Sequence, residues 1–356
     1  MKDLYLDNFY KLDLYGKSSK KPYNRGKSFG YQVLGFGSGV AGGGLLPTQK
    51  GIFPFGYSYV VATDASVLYG TSNIVNENGV MQADVSAVGT AKAQGAGATY
   101  GGDKGVHAFG NNGSSNINAK NLISNLGVVS SDVTGVGTAR LELSAVSYGV
   151  GTALFAFGTT SSGTTNIKNL VNDAGVIASD SSGVGSASTS REECSYGGVA
   201  AGTAIITMGT SDKTNLVSNT GVIATDTNLP DGVNSKKQGA GCTFGEDKGI
   251  VGYGSPIATH GGSSNIISNA GVIASDVSRV GLFRISMAAC GFGGDKGIFA
   301  FGNFSDDPGG SGASGVGAFG TAKTNLVTNQ GVIGSDVTGA SGVTGKTTEQ
   351  ACGFGN

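Results

Sequence analysis

Along most of the chain, short apolar runs of five to seven residues alternate with Gly-rich or polar turns, and one four-part order recurs. The first part is an apolar run ending in Gly: GIFPFG (51–56), GVHAFG (105–110), TALFAFG (152–158), TAIITMG (203–209), GIVGYG (249–254) and GIFAFG (297–302). Runs this short, bounded by Gly, read as strands rather than helices. A variable loop follows, then a second strand such as Thr214 to Asn219. A turn containing Gly79, Gly127, Gly175, Gly221, Gly271 or Gly331 reverses the chain, Gly supplying the positive φ of a tight hairpin. A short third run ends in Asp84, Asp132, Asp180, Asp226, Asp276 or Asp336, and a Gly-rich link leads to a fourth that closes on an aromatic-Gly pair.

Those pairs are Tyr100-Gly101, Tyr148-Gly149, Tyr196-Gly197, Phe244-Gly245, Phe292-Gly293 and Phe354-Gly355, spaced by 48, 48, 48, 48 and 62 residues. A period in the forties built from short strands predicts an all-β fold, a six-bladed β-propeller with four antiparallel strands per blade. The propeller begins on an apolar run at 51 and ends on an aromatic-Gly run at 347–355, so the C-terminal strand is expected to close the first blade. Most of the surplus in the last period falls in the Gly-rich stretch Asp306 to Gly320. The expected division is an N-terminal arm and Gly-rich linker over 1–45, for assembly and docking, and the propeller over 46–356. The arm matches no repeat. It carries seven Lys/Arg against three Asp through residue 27, a local charge of +4, and bulky apolar residues at Leu4, Leu6, Phe9, Tyr10, Leu12, Leu14 and Tyr15. Too small to form a core of its own, it is expected to dock on another subunit.

Composition narrows the class. There are 65 Gly without a three-residue period, which excludes collagen, and 38% hydrophobic residues in regular runs, which argues against disorder. A net charge of −1 supplies no field to draw in nucleic acid or an anionic membrane. Cys194, Cys242, Cys290 and Cys352 each stand two residues before the aromatic of a pair, where earlier repeats have Ala98 and Val146. Such a position is a small apolar core site, and the thiols are expected to be free. No signal peptide and no apolar run of membrane-spanning length is seen, so membrane insertion is not expected and assembly inside a cell without a secretion step is.

Candidate chemistry is sparse. His107 replaces an apolar residue in GVHAFG and reads as a packed or channel-side imidazole; His260 lies in a loop. The six recurrent Asp residues read as caps of the Gly turns that follow them. Glu192-Glu193 reads as a solvated or channel-lining pair rather than a glycosidase acid and base. Lys20-Lys21 and Lys236-Lys237 are too short for nucleic-acid footprints. The expectation is a protein that is not an enzyme, with no cofactor and no metal.

Several phrases carry a resemblance. Val136 to Gly149 and Arg284 to Gly302 place an Arg-bearing strand, a small-residue strand and a Gly-ended apolar strand in the order of the kelch repeat. TNLVSNTGVIATD (214–226) and FGGDKGIFAFG (292–302) resemble the kelch-like propellers of bacteriophage virion proteins, as does the segment from Tyr31 to Gly37. The similarity covers about residues 28 to 356, although the outer-strand Trp and the Gly-Gly doublet of kelch proper are missing. The resemblance implies a non-enzymatic, tail-associated structural protein of a virion, multi-copy and held to other virion proteins by the arm. Two alternatives stand beside it. One is a receptor- or glycan-binding propeller of a tail fibre, with Tyr57, Tyr59, Tyr69, His260 and Phe304 as candidate loop recognition residues. The other is an intracellular kelch-type interaction module.

Overall fold

A computed structural model describes residues 47–60, 65–86, 88–256, 262–304, 320–348 and 351–355. The arm residues Leu4, Leu6, Phe9, Tyr10, Leu12, Leu14 and Tyr15, the loop residue His260 and nearly all of the 306–320 insertion lie outside the described residues. The described chain is all-β and built from antiparallel sheets, with one helical turn at Gly198–Ala201 and one 3-10 turn at Gly209–Ser211.

Each repeat forms one larger sheet, numbered here I to VI in chain order. In sheet II, Ala96–Tyr100 pairs with Lys104–Ala108, which pairs with Lys120–Ile123. Sheet III repeats this with Ser144–Tyr148, Thr152–Ala156 and Lys168–Val171. Sheet IV uses Glu192–Tyr196, Thr203–Met208 and Lys213–Val217. Sheet V uses Ala240–Phe244, Lys248–Gly252 and Ser264–Ile267, and sheet VI Ala288–Phe292, Lys296–Ala300 and Lys323–Val327. In sheet I, Lys50–Pro54 pairs with Thr71–Val75 on one side. On its other side lies Cys352–Phe354, from the far end of the chain, in the register Lys50↔Phe354, Gly51↔Gly353, Ile52↔Cys352.

The outermost strand of each sheet, formed where the Asp-bearing run ends, is shorter than the expected pattern of four strands. It is a two-residue pairing in sheets I, IV and VI, at Val85–Ser86, Thr227–Asn228 and Val337–Thr338. In sheets II, III and V only single bridges form, such as Lys120↔Val133, Lys168↔Ser181 and Ser264↔Val277. The run that carries the Asp bulges between two bridges, Ile123↔Val129 and Lys120↔Val133 around Asp132 in sheet II, and so brings its Asp inward, as described below.

The core lies between sheets. Phe109 and Val106 of sheet II meet Phe155 and Val171 of sheet III, and corresponding clusters join III to IV, IV to V and V to VI. Phe53 and Val75 of sheet I pack against Phe292, Ile298 and Phe301 of sheet VI. Ile52, Phe55 and Phe354 of sheet I pack against Ile123 and Val129 of sheet II. The second strands supply most of this burial: Ile298, Phe299 and Phe301 are all fully buried, as are Leu154, Phe155 and Phe157.

The four cysteines are buried and free, and burial pushes their thiols up, to about 12 for Cys242 and Cys352. Their role is volumetric. Each sulfur faces the first small residue of the next sheet's second strand: Cys352 meets Gly105, Cys194 meets Gly249, Cys242 meets Gly297 and Cys290 meets Gly51. Where the first strand carries Ala98 or Val146 instead, the residue across the interface is Ala153 or Ala204, in the same apolar clusters. A Cβ on Gly51 would fall 2.2 Å from Cys290 Sγ and 2.9 Å from Val75 Cγ1. Gly51→Ala is therefore expected to cost about 1–3 kcal/mol through overpacking, measured by denaturant unfolding. Adding Cys290→Ala should recover most of that loss, because it recreates the Ala98–Ala153 pairing; full additivity of the two changes would refute the volumetric account.

Candidate functional site

The most repeated arrangement of charge in the molecule is a buried cation between each sheet and the next. Lys92, Arg140, Lys236, Arg284 and Lys346 are 0% exposed and Arg191 is 5% exposed. Arg140 shows the design. It stands on the link from sheet II to sheet III, and its carbonyl accepts from Gly110 N of sheet II at 2.9 Å. Its guanidinium lies 4.2 Å over the Phe109 ring of the same sheet. The guanidinium then donates into sheet III, to Phe157 O at 2.9 Å and Asn169 Oδ1 at 2.7 Å, and back to Thr138 O at 3.2 Å. Asn169 Nδ2 donates onward to Asp180 Oδ1 at 2.8 Å. Asp180 in turn accepts from Thr138 N at 3.0 Å, which returns the circuit to the link.

The same latch recurs with changed partners. Lys92 reaches Asn121 Oδ1 at 2.6 Å and Asp132 at 3.2 Å under Phe55; Lys236 reaches Asn265 Oδ1 at 2.5 Å. Arg284 donates to Asn325 and stacks on Tyr253, and Arg191 reaches Asn215 Oδ1 at 2.7 Å beside Phe157. Lys346 fastens the last link to sheet I, donating to Phe53 O at 3.1 Å and lying 5.0 Å from the Phe301 ring. The aromatics under the cations end their strands in the left-handed region, at φ 58 for Phe55, 65 for Phe109, 62 for Phe157, 64 for Tyr253 and 65 for Phe301. Non-glycine residues adopt that region only where the surroundings over-determine it.

This overturns the reading of the recurrent Asp residues as caps of the following Gly turns. Each accepts instead from an Asn eleven residues earlier and from a link N–H much further off, Thr90 for Asp132 and Ser186 for Asp226. The reason is that the third run folds inward, and the unpaired amides of the Gly-rich link are the nearest donors. Burial raises the carboxyls of Asp84, Asp180, Asp226 and Asp276, but hydrogen bonds and the nearby cation outweigh it and hold each below the ordinary range. A carboxylate whose folded value is depressed contributes stability that is present above its unfolded pKa and lost as pH falls through the folded one. Melting temperature is accordingly expected to drop steeply below pH 4. Asp180→Asn should lower the melting temperature at pH 7 and shallow the acid limb, both read by calorimetry.

The first strands of all the sheets meet around a cavity of about 120 Å³. Gly97, Ala145, Glu193, Gly241, Ala289 and Ala351 line one level of it. At the next level hydroxyls tie strand to strand: Thr99 donates to Gly353 O at 2.8 Å, Ser147 to Thr99 O at 2.9 Å, Ser195 to Ser147 O at 2.8 Å and Thr243 to Ser195 O at 3.1 Å. Glu142, Ser190 and Gln238 stand at its border, all with positive φ, and their backbones are chained, Ser190 N to Glu142 O and Gln238 N to Ser190 O.

Of the residues singled out in the sequence, Glu193 lines this cavity as expected, whereas Glu192 is neither solvated nor channel-lining: it is fully buried between sheets. Its strand alternates faces, so adjacent carboxylates cannot share one environment. His107 is fully buried and tilted against Phe55, 5.0 Å between ring centroids. Lys236 is buried in its latch. Tyr57, Tyr59 and Tyr69 belong to one hairpin, Tyr57–Val60 with Ala65–Leu68, where the Tyr69 hydroxyl bonds Ser58 Oγ at 2.7 Å. Phe304 lies on another pairing, with Arg284–Ile285. The sequence signal for the latches was the Asn of each third strand, Asn73, Asn121, Asn169, Asn215, Asn265 and Asn325, all 0% exposed.

Among the described residues no group of three or more His, Cys, Asp or Glu is placed to hold a metal ion, and no helix is long and apolar enough to cross a membrane. Comparison with known protein families and with curated proteins returns no match.

Proposed function

We propose that the chain is a six-bladed, kelch-like β-propeller acting as a rigid display scaffold. In this reading it is a non-enzymatic structural component of a bacteriophage particle, associated with the tail and anchored through residues 1–45. The observation that carries the scaffold reading is the set of buried cation–Asn–Asp latches. Buried charge at these positions is committed to holding sheet to sheet, the arrangement expected of a body whose task is to keep a fixed form. The six-blade architecture is supported by the pairing of Cys352–Phe354 with Lys50–Pro54 and by the packing of sheet I on both II and VI. Placement in a virion is supported by the resemblance of residues 214–226 and 292–302 to phage propellers and by a basic, aromatic arm. Exposed valines one residue after the Gly turns, Val80, Val128, Val176, Val222, Val272 and Val332, between 53% and 62% exposed, suit a body set among neighbours.

The test is mass spectrometry of purified particles together with deletion of residues 1–45. The chain is expected at a fixed stoichiometry in particles, and the deletion should reduce incorporation at least tenfold while leaving the propeller's melting temperature unchanged. Absence from particles, or full incorporation without the arm, removes the virion reading. Retention of host-cell binding by the deleted protein would favour a receptor binder.

A further inference from the structure

Glu192 is a buried ionisable group that the latches do not use. Glu192 opens the first strand of sheet IV, at the position held by Ala96, Ser144, Ala240 and Ala288 in other sheets. It is 0% exposed, and both carboxyl oxygens lack a hydrogen-bond partner. The carboxyl is seated on Gly239 of the chain entering sheet V, so closely that a Cβ there would fall 2.0 Å from Oε1. It therefore sits in the joint between sheets IV and V. We infer that Glu192 is a proton-operated joint: sheets IV and V close on one another while the carboxyl is protonated and loosen where it ionises.

The charged groups facing it explain the direction. Across the joint, Lys236 attracts a Glu192 anion and Asp276 repels it. Lys236 is not free to turn, because its ammonium is held by Asn265 Oδ1 at 2.5 Å and Ser263 Oγ at 3.3 Å, with Asp276 at 3.9 Å. Just before its strand, Arg191 is engaged by Asn215, Ile206 O and Lys213 O, while on the strand Glu193 and Cys194 bring no positive charge. The paired strand Thr203–Met208 has no ionisable side chain. In sheet V, Lys248 is bound to Asp247 at 2.7 Å and Cys242 is a buried thiol. In sheet III, Tyr148 stands at the far end of its strand. An anion at 192 must either pull Lys236 from its latch or stay unpaired, and either outcome opens the joint. Burial pushes the Glu192 carboxyl up to about 8. A carboxyl raised above its unfolded value contributes stability that is lost as pH climbs between the two, about tenfold in the closed-to-open ratio per pH unit.

The test is hydrogen exchange on the full chain between pH 6 and pH 9, corrected for intrinsic rates, comparing wild type with Glu192→Gln and Glu192→Ala. In wild type, amides of 192–196, 240–244 and 248–252 should lose about a hundredfold of protection between pH 6 and 8. Amides of 144–148 and 152–156 should change far less, and both variants should hold their protection at 192–196 and 240–252. The Ala variant, which copies residues 96, 240 and 288, decides the matter if the Gln variant does not fold. Parallel loss of protection in wild type and a folded variant, or no loss in wild type, overturns the inference.

Discussion

A chain ending at Thr348 is expected to lose its folded state at 25 °C. The missing strand buries Cys352 and Phe354 in the cluster with Ile52, Phe55 and Ile123. It also pairs with Lys50–Pro54, bonds Gln49 N through Gly355 O at 2.6 Å and receives Thr99 Oγ1 on Gly353 O at 2.8 Å. Phe354 alone is worth about 1.5–3 kcal/mol of burial. Unpairing the Lys50–Pro54 edge leaves backbone donors and acceptors without partners beside an apolar face, so the total loss is of the order of a whole domain's stability, about 5–15 kcal/mol. Circular dichroism should show a lost or much lowered transition, and light scattering should show association. A synthetic peptide of residues 347–356 should restore the transition in a concentration-dependent way. A truncated chain that melts within two or three degrees of the full one would show that the terminal strand is an accessory.

Arg140→Met is the second large effect. The substitution leaves the Asn169 Oδ1 acceptor, 0% exposed at its side chain, and the Phe157 carbonyl without their donor. It also removes the cation from the Phe109 face at 4.2 Å. Breaking a buried charge network from one side costs about 3–5 kcal/mol, read by denaturant unfolding. Combining it with Asn169→Leu should cost less than the sum, since the orphaned acceptor goes too. Lys346→Met offers the contrast. Burial brings the Lys346 ammonium down to about 7, and Asn73 Oδ1 already lacks a partner in that latch. Removing Lys346 should therefore cost distinctly less than removing Arg140, and equal losses at the two sites would count against the latch account.

The latches also show where reading the sequence stopped short. A 48-residue step from Arg140 arrives at Ser188, and the guanidinium that fills this latch comes from Arg191, three residues on. A one-dimensional period cannot find such a replacement, because what is kept is the point in space between Phe157 and Asn215 rather than the position in the chain. The recurrent Asp residues mislead for a related reason. Locally each has the look of a turn cap, yet its donors are an Asn eleven residues back and a distant link amide, 42 residues back for Asp180 at Thr138 and 260 residues ahead for Asp84 at Thr344. Glu192 and Glu193 are neighbours in sequence and opposites in environment, which only the pleat and the next sheet decide.

What the sequence determined by itself was the strand set: apolar runs bounded by Gly, their order, the small core site at the cysteines and a last run that had to find a partner near residue 51. Those features follow from local backbone preference and alternation of burial, which act over a few residues. The tertiary structure alone decided which Gly faces which Cys, how the cations are shared between sheets, and that a lone carboxyl is sealed at the joint of sheets IV and V. Such choices depend on volumes and charges brought together across 17 residues of chain, from Arg140 to Phe157, up to 293, from Lys346 to Phe53, where no local signal reaches.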